Sequence, residues 1–211
     1  LIGGEILGAD PEELVRDCPK LASLVETLDS IAKSREKVLI FAHFRDAQAI
    51  LKRVVDDRYD IDAPVRNGDR AGGTKRVHEA RMQMIRRFEA SPGFHAMIVS
   101  PRVGGVGLTI TAANHVVHYG RWWNPAREDQ CTDRVYRIGQ QRDVHVYRLV
   151  AQDPRGQFHT FDERLDELLE KRRVTAESFM MPQADEASVA RDLASAMSSE
   201  AEAEVLHPAA E

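Results

Sequence analysis

Three short apolar runs constrain this chain more than any other feature: VLIFA at 38–42, HAMIVS at 95–100 and HVVHY at 115–119. Each is long enough for a strand and too short for a buried helix. VLIFA is apolar at consecutive positions, the pattern of a strand covered on both faces, and HAMIVS and HVVHY read as a second and a third buried strand. Segments with helical spacing stand between them. Leu21, Leu24, Val25, Leu28 and Ile31 recur at intervals of three and four behind Pro19, a residue well suited to a first helical turn. Residues 47–55 read as a second helix. Residues 77–88 read as a third, basic and amphipathic, with Met84, Ile85 and Phe88 as its apolar stripe. Ala63 to Arg66 reads as a short strand that ends at the turn signal Asn67-Gly68. Residues 125–136 read as a helix, and the alternating VHVYRLV at 144–150 as the last strand. Strands alternating with helices pair in parallel, so the predicted fold is a three-layer α/β/α domain with a mainly parallel sheet. Such a sheet carries its functional loops at the C-terminal ends of its strands.

The termini read differently. Residues 1–18 show no sustained pattern and are expected to be irregular or weakly helical. After a polar loop, residues 161–173 form a charged helix carrying Leu165, Leu168 and Leu169. Beyond it the chain is rich in Ala, Ser and Glu, the composition of a flexible segment or one loosely docked helix. The expected organisation is a connecting segment at 1–18, the α/β domain at 19–152, a loop and helix at 153–182, and an acidic tail at 183–211. The chain starts without Met, which reads as a piece of something longer.

A net charge of −5 argues against coating nucleic acid by bulk charge. The charge is unevenly placed, however. Between Arg66 and Arg102 eight basic residues face only Asp69, Glu79 and Glu89, whereas from Ala184 onward seven acids accompany Arg191. A basic middle can bind phosphates locally. Cys18 and Cys131 cannot by themselves build a disulfide framework or a zinc site, and read as reduced thiols of a cytoplasmic protein. The eight histidines lack metal-ligand spacing, so no metal site is expected. No apolar run approaches the ~20 residues a bilayer demands, and the start lacks the basic residues of a signal peptide, so no membrane partner is expected.

Two segments carry the chemistry. In SPRVGGVGLT, Gly104, Gly105 and Gly107 permit close backbone approach and positive φ, and successive N–H groups there could cradle a phosphate. A tight turn with no ligand accounts for the same glycines. The segment is not a Walker A loop, because no Lys-Ser or Lys-Thr follows at the required spacing, and Gly72-Gly73-Thr74-Lys75 does not supply one. No acidic, metal-binding strand end is present either, so the chain alone is not expected to hydrolyse ATP.

The second segment sets Arg134 and Arg137 three apart on the polar helix before Gly139, with Gln130 one turn earlier on the same face. Arginine keeps its charge and grips phosphate with a planar fork. A pair aimed at a transferring phosphoryl group can be worth ~10³ to 10⁵ in rate. The bland reading is a solvated face paired with Asp133 or Glu128. A bare Arg-x-x-Arg favours that reading, and the string around it reverses the balance. Trp122 and Trp123 read as core, as a lobe interface, or as a nucleic-acid contact. His43 reads as a phosphate ligand or a satisfied polar group at a strand end. Arg81, Arg86 and Arg87 read as a phosphate-contacting or a solvated helix face.

Taken in order, KVLIFAHF, then NGD…R…IRRF, then SPRVGGVGLTITAANHVV, then RWWNPAREDQCTDRVYRIGQ resemble the second RecA-like lobe of Swi/Snf-type DNA translocases, in helicase superfamily two. The resemblance runs from about Lys20 to Lys171, and DRVYRIGQ is its most specific part. It implies a RecA-like fold, double-stranded DNA as partner, and ATP with Mg²⁺ held mainly by a first lobe that this chain lacks. It implies that Arg134 and Arg137 are arginine fingers, that Gln130 belongs to their motif, and that Gly139 and Gln140 close it. Gly104, Gly105 and Gly107 become the motif linking ATP state to DNA contact, Gly105 and Gly107 serving the nucleotide. His43, Arg81, Arg102 and Gly104 become DNA contacts. Trp123 becomes the residue coupling DNA binding to hydrolysis, and Leu165 to Arg173 a brace packing back across the lobes. Pro101 stands where a small or polar residue is usual, and Tyr136 replaces a common His.

The implied function is the C-terminal motor lobe of an ATP-dependent double-stranded DNA translocase, bacterial and cytoplasmic. Its own N-terminal lobe and further subunits of a bacterial DNA-processing or defence system are the implied partners. The alternatives are a non-catalytic DNA-binding or protein-docking module and a strand-separating or RNA-directed enzyme. Remodelling, transcription recycling, repair and phage defence share these motifs.

Overall fold

The structure, a computed structural model, describes residues 8–67, 75–102, 110–178, 191 and 194, without the side chains of residues 75–78, 81 and 175–178. In chain order the elements are helices α1 (Pro11–Asp17) and α2 (Pro19–Lys33), strand β1 (Lys37–Phe41), helix α3 (Arg45–Tyr59), strand β2 (Val65–Arg66), helix α4 (Lys75–Ala90), strands β3 (His95–Val99) and β4 (His115–His118), helix α5 (Pro125–Thr132), strand β5 (His145–Arg148) and helix α6 (Phe161–Ser178). The chain divides into two compact units. One combines the residues up to 120 with 128–149, and the other combines 121–127 with the residues from 150 onward.

The first unit is built on a five-stranded sheet in the order β2-β3-β1-β4-β5, with every pair parallel. Successive side chains of a strand point to opposite faces. Val38, Ile40 and Ala42 therefore meet Leu21, Leu24, Leu28 and Ile31 of α2 and Leu51, Val54 and Val55 of α3. Leu39 and Phe41, with Met97, Val99 and Val116, meet Ile85 and Phe88 of α4 together with Cys131 and Val135. Helices cover both faces, which is why the strand sequences are apolar without alternation. The result is the RecA-like α/β/α architecture that the sequence implies.

Helix boundaries depart from the sequence reading at α1, α3 and α5, and α4 and α6 also run longer than residues 77–88 and 161–173. Residues 11–17 form α1, whose start is fixed by Asp10 accepting from the Glu12 N–H at 2.8 Å and by Pro11 in the first turn. Helix α3 begins at Arg45 and runs to Tyr59, longer at both ends than residues 47–55. The helix expected to reach Tyr136 stops at Thr132. Continuing it would require the Arg134 carbonyl to accept from Ile138. It accepts instead from the Ile110 N–H at 3.0 Å, while Val135 sinks completely into the core.

In the second unit, Leu165 and Leu169 of α6 pack with Leu168 and Trp123, and the Trp123 ring stands edge-on to Phe161 at 5.8 Å. The Arg121 guanidinium is wholly buried. It forms an ion pair with Asp166 and donates to Glu170 Oε1 at 3.1 Å. Helix α6 opens on a capping box. The Glu163 N–H donates to Thr160 Oγ1 at 3.1 Å, and the Thr160 N–H donates to Glu163 Oε2 at 2.8 Å. Among the described residues no helix is long and apolar enough to cross a membrane.

Candidate nucleic-acid and nucleotide interface

Strands β1, β2 and β3 end side by side, and the residues that leave them surround a cleft of about 510 Å³. His43 follows β1, Asn67 follows β2, and Ser100 and Arg102 follow β3. Phe44, Arg45 and Gln48 enter from the start of α3. The rim is tied to the sheet by short bonds. The Ser100 N–H donates to the Arg66 carbonyl at 2.9 Å, the Ala42 N–H to the Val99 carbonyl at 3.1 Å, and Gln48 Nε2 to the Ala42 carbonyl at 2.6 Å. Arg102 Nη2 lies 3.4 Å from His43 Nε2, so the guanidinium donates and that ring nitrogen accepts. Arg45 and Arg102 make the cleft basic, and no carboxylate lines it among the described residues. Such a cleft can hold a phosphate by charge-assisted hydrogen bonds, the kind of contact that positions a backbone.

Helix α5 and the turn after it carry the arginines. Asn124 Oδ1 accepts from the Ala126 N–H at 3.0 Å at the helix start. Farther along, Glu128 is buried against Arg148 of β5 at 3.7 Å, and His118 Nε2 lies 3.2 Å from Thr132 Oγ1. These contacts seat the end of α5 on β4 and β5. Because the helix stops at Thr132, Gln130, Arg134 and Arg137 do not share one helix face. Gln130 and Arg137 are exposed, whereas Arg134 is 9% exposed. The Nε of Arg134 is buried without a hydrogen-bond partner among the described residues. The bland alternative required pairing with Asp133 or Glu128. Among the described residues neither arginine makes such a pair, and Glu128 faces Arg148.

The turn closes on Gly139, whose φ of +104° is a conformation that other residues rarely adopt. Gln140 then fastens it. Its Nε2 donates to the carbonyls of Thr111 at 3.1 Å and Ala113 at 2.7 Å, and its Oε1 accepts from the N–H groups of Gln141 and Arg142.

The structure thus brings His43 and Arg102 into contact and sets Gln130, Arg134 and Arg137 along α5 and its turn. It holds Trp123 among the residues of α6 in the second unit. Arg81 lies on α4 with its side chain outside the described residues, as Gly104, Gly105 and Gly107 lie outside them entirely. Sequence reasoning did not single out Phe44, Arg45, Gln48 or Ser100 as site residues, and it read Asn67 only as a turn residue. Their signal was position, directly after an apolar strand whose C-terminal end forms the functional edge.

Residues 19–139 match the family described as helicase conserved C-terminal domain. The chain is 39% identical over 173 residues to the Zorya protein ZorD of Escherichia coli O139:H28, covering 81% of this chain and 16% of ZorD. It is 34% identical over 142 residues to the helicase SWR1 of Kluyveromyces lactis, covering 67% of this chain and 9% of SWR1. The chain therefore spans a small fraction of these curated relatives. Among solved structures, the SWI2/SNF2 ATPase core domain of Sulfolobus solfataricus superposes with a TM-score of 0.63 at 29% identity, covering 83% of this chain and 33% of that one. The same core in complex with double-stranded DNA gives a TM-score of 0.59 at 30% identity, covering 80% of this chain and 32% of that one. A family match over more than half its residues, on a parallel sheet that superposes on these cores, means that the chain belongs to the helicase conserved C-terminal domain family, as a second RecA-like lobe of the Swi/Snf type.

Proposed function

We propose that this chain is the C-terminal motor lobe of an ATP-dependent double-stranded DNA translocase. The cleft at the ends of β1, β2 and β3 carries the proposal, because it is basic, free of carboxylates among the described residues, and built around the His43–Arg102 contact. The likeness to a core solved with double-stranded DNA supports that ligand. His43, Arg102, Arg81 of α4 and Gly104 would grip backbone phosphates of one strand. A grip of this kind weakens with salt and carries little sequence information.

The lobe's second task is to complete an ATP site whose phosphate loop and Mg²⁺ carboxylates belong to a first lobe. The residues of the α5 turn fit an incoming anion. Arg134 presents a buried donor without a partner among the described residues, and Arg137 is exposed. When bound, ATP with Mg²⁺ supplies the phosphoryl group whose hydrolysis drives movement. Arg134 and Arg137 place fixed positive charge where negative charge develops, and Gln130 stands on the preceding helix. Gly105 and Gly107 carry the state of the nucleotide toward the DNA contacts, and Trp123 couples DNA binding to hydrolysis. In this reading residues 19–152 form the lobe, 153–182 the loop and brace, and 183–211 an acidic tail. The protein works in the cytoplasm, and the likeness to a bacterial relative, ZorD, supports partners from a bacterial DNA-processing or defence system.

The test is displacement of a third strand from a DNA triplex by the longer protein that contains this lobe. Translocation predicts ATP-dependent release of the third strand with the duplex left intact. Replacing Arg134 and Arg137 with Ala should abolish release and leave duplex binding unchanged. Separation of the duplex would make the protein a strand-separating helicase. Binding without ATP-dependent release would favour the docking module.

A further inference from the structure

Phe44 lines the cleft but has no part in holding a phosphate. Its ring is 70% exposed and belongs to none of the described apolar cores. It stands edge-on to the His43 ring, with centroids 4.7 Å apart and planes at 81°. It also occupies the N-cap position of α3, where it makes no side-chain capping bond. Ser, Thr, Asp and Asn satisfy the free N–H groups of a first turn, and phenylalanine does not. The same chain caps α1 with Asp10 and α6 with Thr160, and where α2 also starts without a side-chain cap the residue is the small, half-buried Cys18 rather than an exposed aromatic ring. At the cleft, local helix chemistry gives way to a large apolar ring in water, and rules broken locally are a mark of function.

The neighbours of the ring say what it meets. His43 and Arg102 are suited to a phosphate, and in a nucleic-acid backbone the apolar surface next to a phosphate is the C–H face of the sugar. Resting on the DNA-binding reading above, we propose that Phe44 packs on the deoxyribose beside the phosphate held by His43 and Arg102. It supplies a contact to duplex DNA whose strength is independent of salt. The edge-on contact with His43 keeps the ring and the phosphate-binding group in one fixed arrangement.

Affinity of the full 211-residue chain for a labelled, mixed-sequence DNA duplex, measured across a salt series, separates these terms. Removing a phosphate contact flattens the salt dependence, whereas removing an apolar contact shifts affinity equally at every salt. Phe44→Ser should bind roughly tenfold more weakly at each salt concentration with an unchanged slope, and Phe44→Leu should stay within about threefold of the parent. Arg102→Ala should lower the slope by about one. The thermal midpoint of Phe44→Ser should equal or exceed that of the parent, because serine caps α3. Parental affinity in Phe44→Ser, beside a reduced slope in Arg102→Ala, would overturn the sugar contact and leave the DNA reading standing. A slope change in Phe44→Ser matching that of Arg102→Ala would also overturn it, since the ring would then act only by placing His43. A parent chain without salt-dependent affinity for the duplex would overturn the DNA reading, and the sugar contact with it.

Discussion

Gln140 holds the arginine turn by both ends of its amide. Its nitrogen reaches the carbonyls of Thr111 and Ala113, and its oxygen takes the N–H groups of Gln141 and Arg142. Gln140→Ala should therefore cost about 1–3 kcal/mol, because carbonyls and N–H groups lose partners they cannot all replace. Gln140→Glu should cost a similar amount, since a carboxylate cannot donate to the two carbonyls. Urea unfolding of the two variants against the parent checks this, and parental midpoints for both would refute it. The sequence made the arginines legible as a pair, but not their setting. Nothing local in Asp133-Arg134-Val135-Tyr136 forbids a helix. The turn exists because Val135 is taken into the core and the Arg134 carbonyl is taken by Ile110, both contacts with residues distant in the chain.

The elements are joined at the opposite end of the sheet by Glu36. Its carboxylate, just before β1, accepts from Asn114 Nδ2 at 2.8 Å and from His115 Nε2 at 2.7 Å at the start of β4, with Arg142 Nη1 at 3.6 Å. The hydrogen bond from His115 holds Glu36 below its ordinary value of 4.5, against the opposing effect of burial. The hydrogen bond from Arg58 likewise lowers Asp29, which joins α2 to α3. A carboxylate whose folded pKa is depressed stabilises the fold above its unfolded pKa and loses that contribution as pH falls through the folded one. Unfolding midpoints should therefore fall from about pH 5 downward, and less steeply in Glu36→Gln and Asp29→Asn, which should already be less stable at neutral pH. Parallel acid profiles for parent and variants would refute the assignment. Strand and helix identities were legible because buried periodicity is strong. Some ends were not. Helix α3 starts without a side-chain cap, whereas the Asp10-Pro11 pair at α1 was a start signal that the sequence reading did not use.

At the scale of the molecule, a chain of net charge −5 sets Arg45 and Arg102 in a cleft at the C-terminal ends of three strands that no carboxylate lines among the described residues. The fold and the family were readable because their motifs are continuous strings. The cleft was only partly readable. Its residues leave three separate strands, and Ser100, Asn67 and Gln48 are residue types that occur everywhere and acquire meaning only when β1, β2 and β3 end together. The burial of Arg121 against Asp166 and Glu170 is likewise a pairing across more than forty positions that no local pattern signals. The central claim is that this lobe contributes arginines to hydrolysis of ATP held elsewhere. It is tested most directly by steady-state ATP hydrolysis with duplex DNA, using this chain combined with its first lobe, beside Arg134→Ala and Arg137→Ala. The account predicts DNA-stimulated turnover that needs both lobes and falls by ~10³-fold or more in kcat when the arginines are removed, with little change in KM for ATP. Parental turnover in both variants would contradict it.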